Sequence, residues 1–154
     1  FLRKETLLGF VHDEASAFFG GLAGNAGLFS TARDVARVYQ MLLNGGEIDG
    51  QRYLSKETCQ LFTTETSKIS RRGLGFDKPD ADDPKKGNCA PAAPAEVYGH
   101  TGFTGTCAWV DPVNELVYVF LSNRIYPDVT NRKLNQLHIR ERIQGAIYDA
   151  MKKK

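Results

Sequence analysis

Two apolar runs joined by a turn constrain this chain most. Leu116-Val117-Tyr118-Val119-Phe120-Leu121 is apolar without alternation, and Cys107-Ala108-Trp109-Val110 precedes it across Asp111-Pro112-Val113-Asn114. Runs of this length around turn residues predict an antiparallel pair, Gly105 to Asp111 with Leu116 to Ser122. A strand that is apolar on both faces must be covered on both. The chain therefore has to supply helices.

It supplies three candidates. Ser30 and Thr31 offer N-cap hydroxyls, Asp34 stands where a carboxylate favours a helix N-terminus, and Val35, Val38, Tyr39 and Leu42 follow at helical spacing. Asn44-Gly45-Gly46 ends that helix. After a turn through Asp49-Gly50 and the pair Tyr53-Leu54, Ser55 caps a second helix through about Phe62, whose Leu61 and Phe62 are expected to face the core. Near the C-terminus Ile139, Ile143, Ala146, Ile147 and Ala150 form a stripe, with Leu134 and Leu137 on its shoulder. Gly145 within it costs roughly 1 kcal/mol against Ala, sensible if the helix lies tight on a sheet. Helices packed on antiparallel strands give an α+β class, and 154 residues suffice for one domain with a core.

Several function classes drop out. With 20 Lys+Arg against 18 Asp+Glu and a basic cluster only at Met151-Lys152-Lys153-Lys154, a nucleic-acid footprint is lacking, and the tail is read as a solvated helix end. Cys59, Cys89 and Cys107 are odd in number and far apart, so neither a disulfide framework nor a zinc site is indicated. No run is long and apolar enough for a membrane helix. His12-Asp13-Glu14 supplies too few ligands for a metal and is read as structural. Gly20-Gly21-Leu22-Ala23-Gly24-Asn25-Ala26-Gly27 leads toward the first strong helix but lacks the order of a phosphate cradle, so close backbone packing explains it better. Thr63 to Val97 turns polar; its acidic residues Asp77, Asp80, Asp82 and Asp83 lack calcium-loop spacing, and a mobile surface loop around 77–97 is expected. Arg71-Arg72-Gly73-Leu74-Gly75-Phe76 reads as a short strand. A chain that begins at Phe1 with no signal peptide is expected to be a piece of a longer protein.

The stretch with chemical promise is Tyr98-Gly99-His100-Thr101-Gly102-Phe103-Thr104-Gly105-Thr106, a polar tripeptide between glycines that runs into the first apolar strand. Such a place lets a backbone N–H approach a substrate. From here the chain resembles the serine β-lactamase and penicillin-binding-protein superfamily, in the branch of class C β-lactamases, D-Ala-D-Ala carboxypeptidases and related esterases. Three segments carry the likeness in the family's order: Gly27 to Arg37 with Met41-Leu42-Leu43-Asn44-Gly45-Gly46; Gly73-Leu74-Gly75-Phe76; and Tyr98 through Asp111-Pro112, then Leu121-Ser122-Asn123-Arg124. His100-Thr101-Gly102 falls where that family carries its K-T-G or H-T-G triad.

The resemblance implies the C-terminal part of a single β-lactamase/transpeptidase-like domain spanning 1–154. It implies a serine hydrolase working through an acyl-enzyme on an amide or ester, such as a β-lactam or a cell-wall D-Ala peptide. His100, Thr101, Gly102 and Phe103 fall at the catalytic strand, with the Phe103 N–H as one oxyanion donor. Thr101, Phe103 and Thr104 would touch substrate, and His100 stands where a Lys is frequent, with partial charge near neutral pH. Asn123 and Arg124 are read as structural. The family's S-x-x-K nucleophile occurs nowhere here, since Ser16, Ser30, Ser55, Ser67, Ser70 and Ser122 all lack the Lys, and Thr130-Asn131-Arg132-Lys133 is read as a helix start. The chain alone is therefore expected to be inactive. No metal or organic cofactor is implied. The partners expected are a small-molecule or peptide substrate, the missing N-terminal portion, and a second copy at exposed sheet edges; the expected location is periplasmic or exported. The alternatives are a non-catalytic binding domain on the same fold, or an esterase.

Overall fold

A computed structural model of the chain describes residues 3–64, 69–80, 82–83 and 87–152. Phe1, Ser67, Pro84, Lys153 and Lys154, and with them part of the 77–97 segment and of the lysine tail, lie outside the described residues. Two compact units make up the chain, Phe1–Thr31 and Ala32–Lys154.

In the first unit a helix that the sequence pattern does not announce, α1 (Glu14–Phe18), starts at Asp13, whose Oδ1 accepts from the Ser16 N–H at 2.7 Å. That backbone bond is the largest cause holding the Asp13 carboxyl below its usual range. His12-Asp13-Glu14 is thus a helix start. The glycine-rich stretch folds back on α1: the Gly21 N–H donates to Ser16 O at 2.8 Å, and Ala23 bridges Ala26. Ser16 is fully buried, with its hydroxyl 3.4 Å from Asn25 Oδ1.

The second unit opens with α2 (Ala32–Leu43), followed by the two-stranded ribbon β1 (Glu47–Ile48) and β2 (Gln51–Arg52) and by α3 (Lys56–Thr63). Ser55 caps α3 as expected, accepting from the Thr58 N–H at 3.1 Å. Leu61 and Phe62, expected in the core, are exposed; the residue α3 buries is Cys59. The main sheet is antiparallel in the order β3 (Tyr98–Thr101), β4 (Cys107–Asp111), β5 (Leu116–Phe120). The predicted hairpin forms, with Trp109 opposite Tyr118. All five residues of β4 are buried, whereas β5 buries only Tyr118 and is half-covered elsewhere. Full cover on both faces therefore falls to the middle strand, because β5 lies at the edge.

One face of the sheet, through Trp109, Cys107 and Tyr118, forms the core with Cys89 and Val97. Two C-terminal helices follow, α4 (Lys133–Gln136) and α5 (Ile139–Met151), and α5 lies on that face: Tyr118 OH donates to Arg140 O at 3.1 Å, and Tyr148 OH to Asp111 Oδ2 at 2.8 Å. On the other face α2 packs across β4 and β5, with Tyr39 edge-on to Phe76 and Phe76 edge-on to Tyr98. Helices on both faces of an antiparallel sheet are the α+β arrangement expected.

The stripe on α5 is not the expected one. Arg140, Gln144 and Tyr148 are buried, while Ile143, Ala146 and Ala150 are exposed and Ile139 and Ile147 half-covered. The buried face is turned by one residue, and each of its polar side chains reaches a partner through its outer atoms. Arg140 donates to Thr106 O (3.3 Å) and Asn135 Oδ1 (3.1 Å), and Gln144 Oε1 accepts from the Ala90 N–H (2.8 Å). Gly145 faces Ala90, but an added Cβ would meet it only at 4.0 Å, so tight approach to the sheet does not explain this glycine.

Two more expectations need correction. Arg71–Phe76 is a turn, not a strand: the Gly73 N–H donates to Phe76 O at 3.0 Å, and two glycines in four residues favour reversal over extension. The segment 77–97, expected to run over the surface, is anchored in the interior by Asp77, Lys78, Cys89, Ala90 and Val97, all buried. Lys78 Nζ stays solvated by protein, 3.3 Å from the carbonyls of Thr63, Glu96 and Val97.

Candidate functional site

The polar tripeptide ends β3 and enters a tight turn. The Gly102 N–H donates to Thr106 O at 2.8 Å and the Gly105 N–H to Gly102 O at 3.0 Å, which puts Phe103 and Thr104 at the tip. A side chain at Gly102 would strike the Thr106 hydroxyl, and one at Gly99 would overlap Ala108 O and the Trp109 ring. The glycines around the tripeptide thus serve the neck of this hairpin first.

The tip is braced from β5. The chain leaving that strand gives the Arg124 N–H to Thr104 O at 2.9 Å, and the Arg124 guanidinium sits over the Phe103 ring, 4.6 Å from its centroid. Phe103 nonetheless stays 62% exposed. Arg124 also reaches Val129 O (3.3 Å) and Asn131 O (3.5 Å), tying the turn to the segment before α4. There Thr130 bonds to Asp128 and Asn131 Oδ1 accepts from the Lys133 N–H, which is helix-start chemistry as expected.

Beside β3 lies a charged network that sequence patterns do not show. Asp77 exchanges two backbone bonds with Gly99, N–H to O at 2.7 Å and back at 3.0 Å, so it flanks β3 like one residue of a further strand. Its carboxylate is 1% exposed, 2.8 Å from Arg71 Nε and 2.8 Å from Asn88 Nδ2, and accepts from the Lys78 N–H. Burial is the largest influence and raises the carboxyl; the bonds from Arg71 and Asn88 and the Arg71 charge together outweigh it, so the value lies below the usual range. The depressed value means that Asp77 stabilises the fold above the ordinary carboxylate range and loses this as pH falls through the lowered value. Arg72 Nη2 lies 3.9 Å from the same carboxylate, and its Nη1 is 2.9 Å from His100 Nε2. His100 Nδ1 is 2.7 Å from Thr101 O.

His100, Thr101, Gly102, Phe103 and Thr104 are therefore contiguous on one strand end and turn, and Arg72, Asp77 and Arg124 join them from 20 or more residues away in sequence. Only the doubled Arg71-Arg72 ahead of a glycine turn could have hinted at this. An activated thiol is not on offer: burial pushes Cys89 up to about 12 and Cys107 up to about 11, and both stay protonated near neutral pH.

Comparison with known proteins bears on this arrangement. The beta-lactamase family profile matches residues 4–141. Proteins named "Putative D-alanyl-D-alanine carboxypeptidase" from Escherichia coli strain K12 and from Salmonella typhi are each 37% identical over 135 residues, covering 87% of this chain and 31% of their own length. The chain spans about a third of the length of the curated relatives it matches.

Proposed function

The chain belongs to the beta-lactamase family, and from that premise we propose that it is the substrate-strand portion of a serine hydrolase acting on an amide or ester through an acyl-enzyme. The substrate class is a β-lactam or a D-alanyl peptide of the cell wall, and the protein works outside the cytoplasm. The observation that carries this reading is the position of His100-Thr101-Gly102 at the end of β3. Beyond the Gly99–Asp77 bridge no further strand lies beside β3 among the described residues, so an extended substrate has an edge to pair with.

In this reading the Thr101 hydroxyl meets a substrate carboxylate or carbonyl. The Phe103 N–H, at the tip of the braced turn, is one oxyanion donor, with Thr104 beside it in contact with substrate. The second donor and the acylated serine come from a segment outside these 154 residues, which have no S-x-x-K. The chain by itself is inactive and pairs with that segment, or with a second copy at its sheet edges. No metal or organic cofactor takes part.

The test is covalent labelling of the product of the whole parent reading frame with a fluorescent penicillin and a fluorophosphonate. We expect labelling of the parent, none of the 154-residue chain, and a loss of roughly 10²–10⁴-fold in acylation rate in parent His100→Ala with an unchanged melting temperature. A parent that binds the penicillin reversibly but never labels is a binding domain, which overturns the catalytic reading. Faster turnover of simple esters than of D-Ala-D-Ala peptides assigns the esterase branch.

A further inference from the structure

We propose that Arg72 is a positioning residue for His100, holding the ring as the neutral Nδ1–H tautomer with Nε2 committed as an acceptor. A guanidinium has five donors, no acceptor, and no accessible neutral form. At 2.9 Å from Arg72 Nη1, His100 Nε2 must therefore bring the lone pair. At the other nitrogen the partner is Thr101 O, at 2.7 Å, which can only accept, so Nδ1 must bring the proton. Both contacts demand the same tautomer, and neither can be satisfied by the other one.

The arginine is itself aimed. Its second nitrogen lies 3.9 Å from the Asp77 carboxylate, which is 1% exposed and fixed to β3 by the two-way backbone bridge at Gly99. Arg71 and Asn88 hold that carboxylate from its other sides. The chain of contacts thus runs from a buried anion through a half-exposed cation to an exposed ring. It places a permanent charge at this strand end on the guanidinium, beside an imidazole that turns its Nε2 to that charge as an acceptor. A His in place of a Lys here does not leave the strand without a cation.

The inference rests on the proposed function only for its catalytic meaning; the tautomer is a property of the folded chain. The experiment is long-range nitrogen–proton correlation NMR of the imidazole rings at a pH where they are neutral. A His100→Gln spectrum picks the His100 signals out from His12 and His138. The wild-type protein is expected to show a protonated Nδ1 and a bare, hydrogen-bonded Nε2. Arg72→Met should move the ratio severalfold toward Nε2–H, the form a histidine side chain favours in water, and Arg72→Lys, which keeps a donor, should restore part of it. A wild-type ring protonated at Nε2 overturns the proposal, as does an unchanged ratio in Arg72→Met. Because the readout is the ring and not acylation, a parent that fails to label with penicillin sinks the proposed function and leaves this result standing.

Discussion

The two faces of the main sheet are covered in different ways. Under α5 the cover is a stripe of hydrogen-bonded side chains: Arg140, Gln144 and Tyr148 are all buried, and each reaches a partner far away in sequence. Under α2 the cover is apolar and partial. Val35, Tyr39 and Leu42 are half-buried, no residue of the helix is fully buried, and Val38 stands 55% exposed. Apolar contact is non-directional and tolerates sliding, whereas a buried hydrogen bond fixes one register and is expensive to leave unmade. The α5 face is thus the one that sets the geometry of the hairpin behind the site.

The largest effect expected from this contrast is at Gln144, which is 1% exposed. Gln144→Ala leaves the buried Ala90 N–H without its acceptor and opens a cavity, and should cost about 2–4 kcal/mol in denaturant unfolding. A loss under 1 kcal/mol means that the 90 segment is not pinned to α5 and breaks the comparison. Tyr148→Phe removes one bond to Asp111, whose carboxylate keeps bonds from Val113, Asn114 and the Asn114 amide; about 1–2 kcal/mol is expected in the same measurement. At the small end, Val38→Ala on the outer side of α2 should stay within about 0.5 kcal/mol. If it costs as much as Tyr148→Phe, that side of α2 is covered in solution and the contrast disappears.

Sequence periodicity located what is local. The hairpin, the span of α2 and the Ser55 cap follow from apolar spacing, turn residues and a single hydroxyl. It misplaced α5's buried face because the pattern weighs Ile143 above Gln144, and only a partner 54 positions away reverses that order. It missed α1 because a five-residue helix held by Asp13 has no periodicity to show. At the end of β3 the tripeptide His100-Thr101-Gly102 stood out in the sequence through the glycines around it. Its surroundings did not, since Arg72 lies 28 residues from His100 and no spacing rule links them. Arg124, read as structural, braces the turn as that reading implies and also covers the Phe103 ring.

Trp109 is the chain's only tryptophan, 1% exposed in the middle strand between Tyr118 and the Gly99 backbone. Its ultraviolet emission is therefore a built-in reporter of the second unit. It shifts to the red when the three strands separate, and carries no signal of its own from Phe1–Thr31. A melting curve followed at that wavelength is a statement about the strands that carry His100-Thr101-Gly102. Set beside a helix-sensitive probe such as far-ultraviolet dichroism, which in this chain reads mainly α2, α3 and α5, it tells whether the strands and the helices that cover them let go together or one after the other.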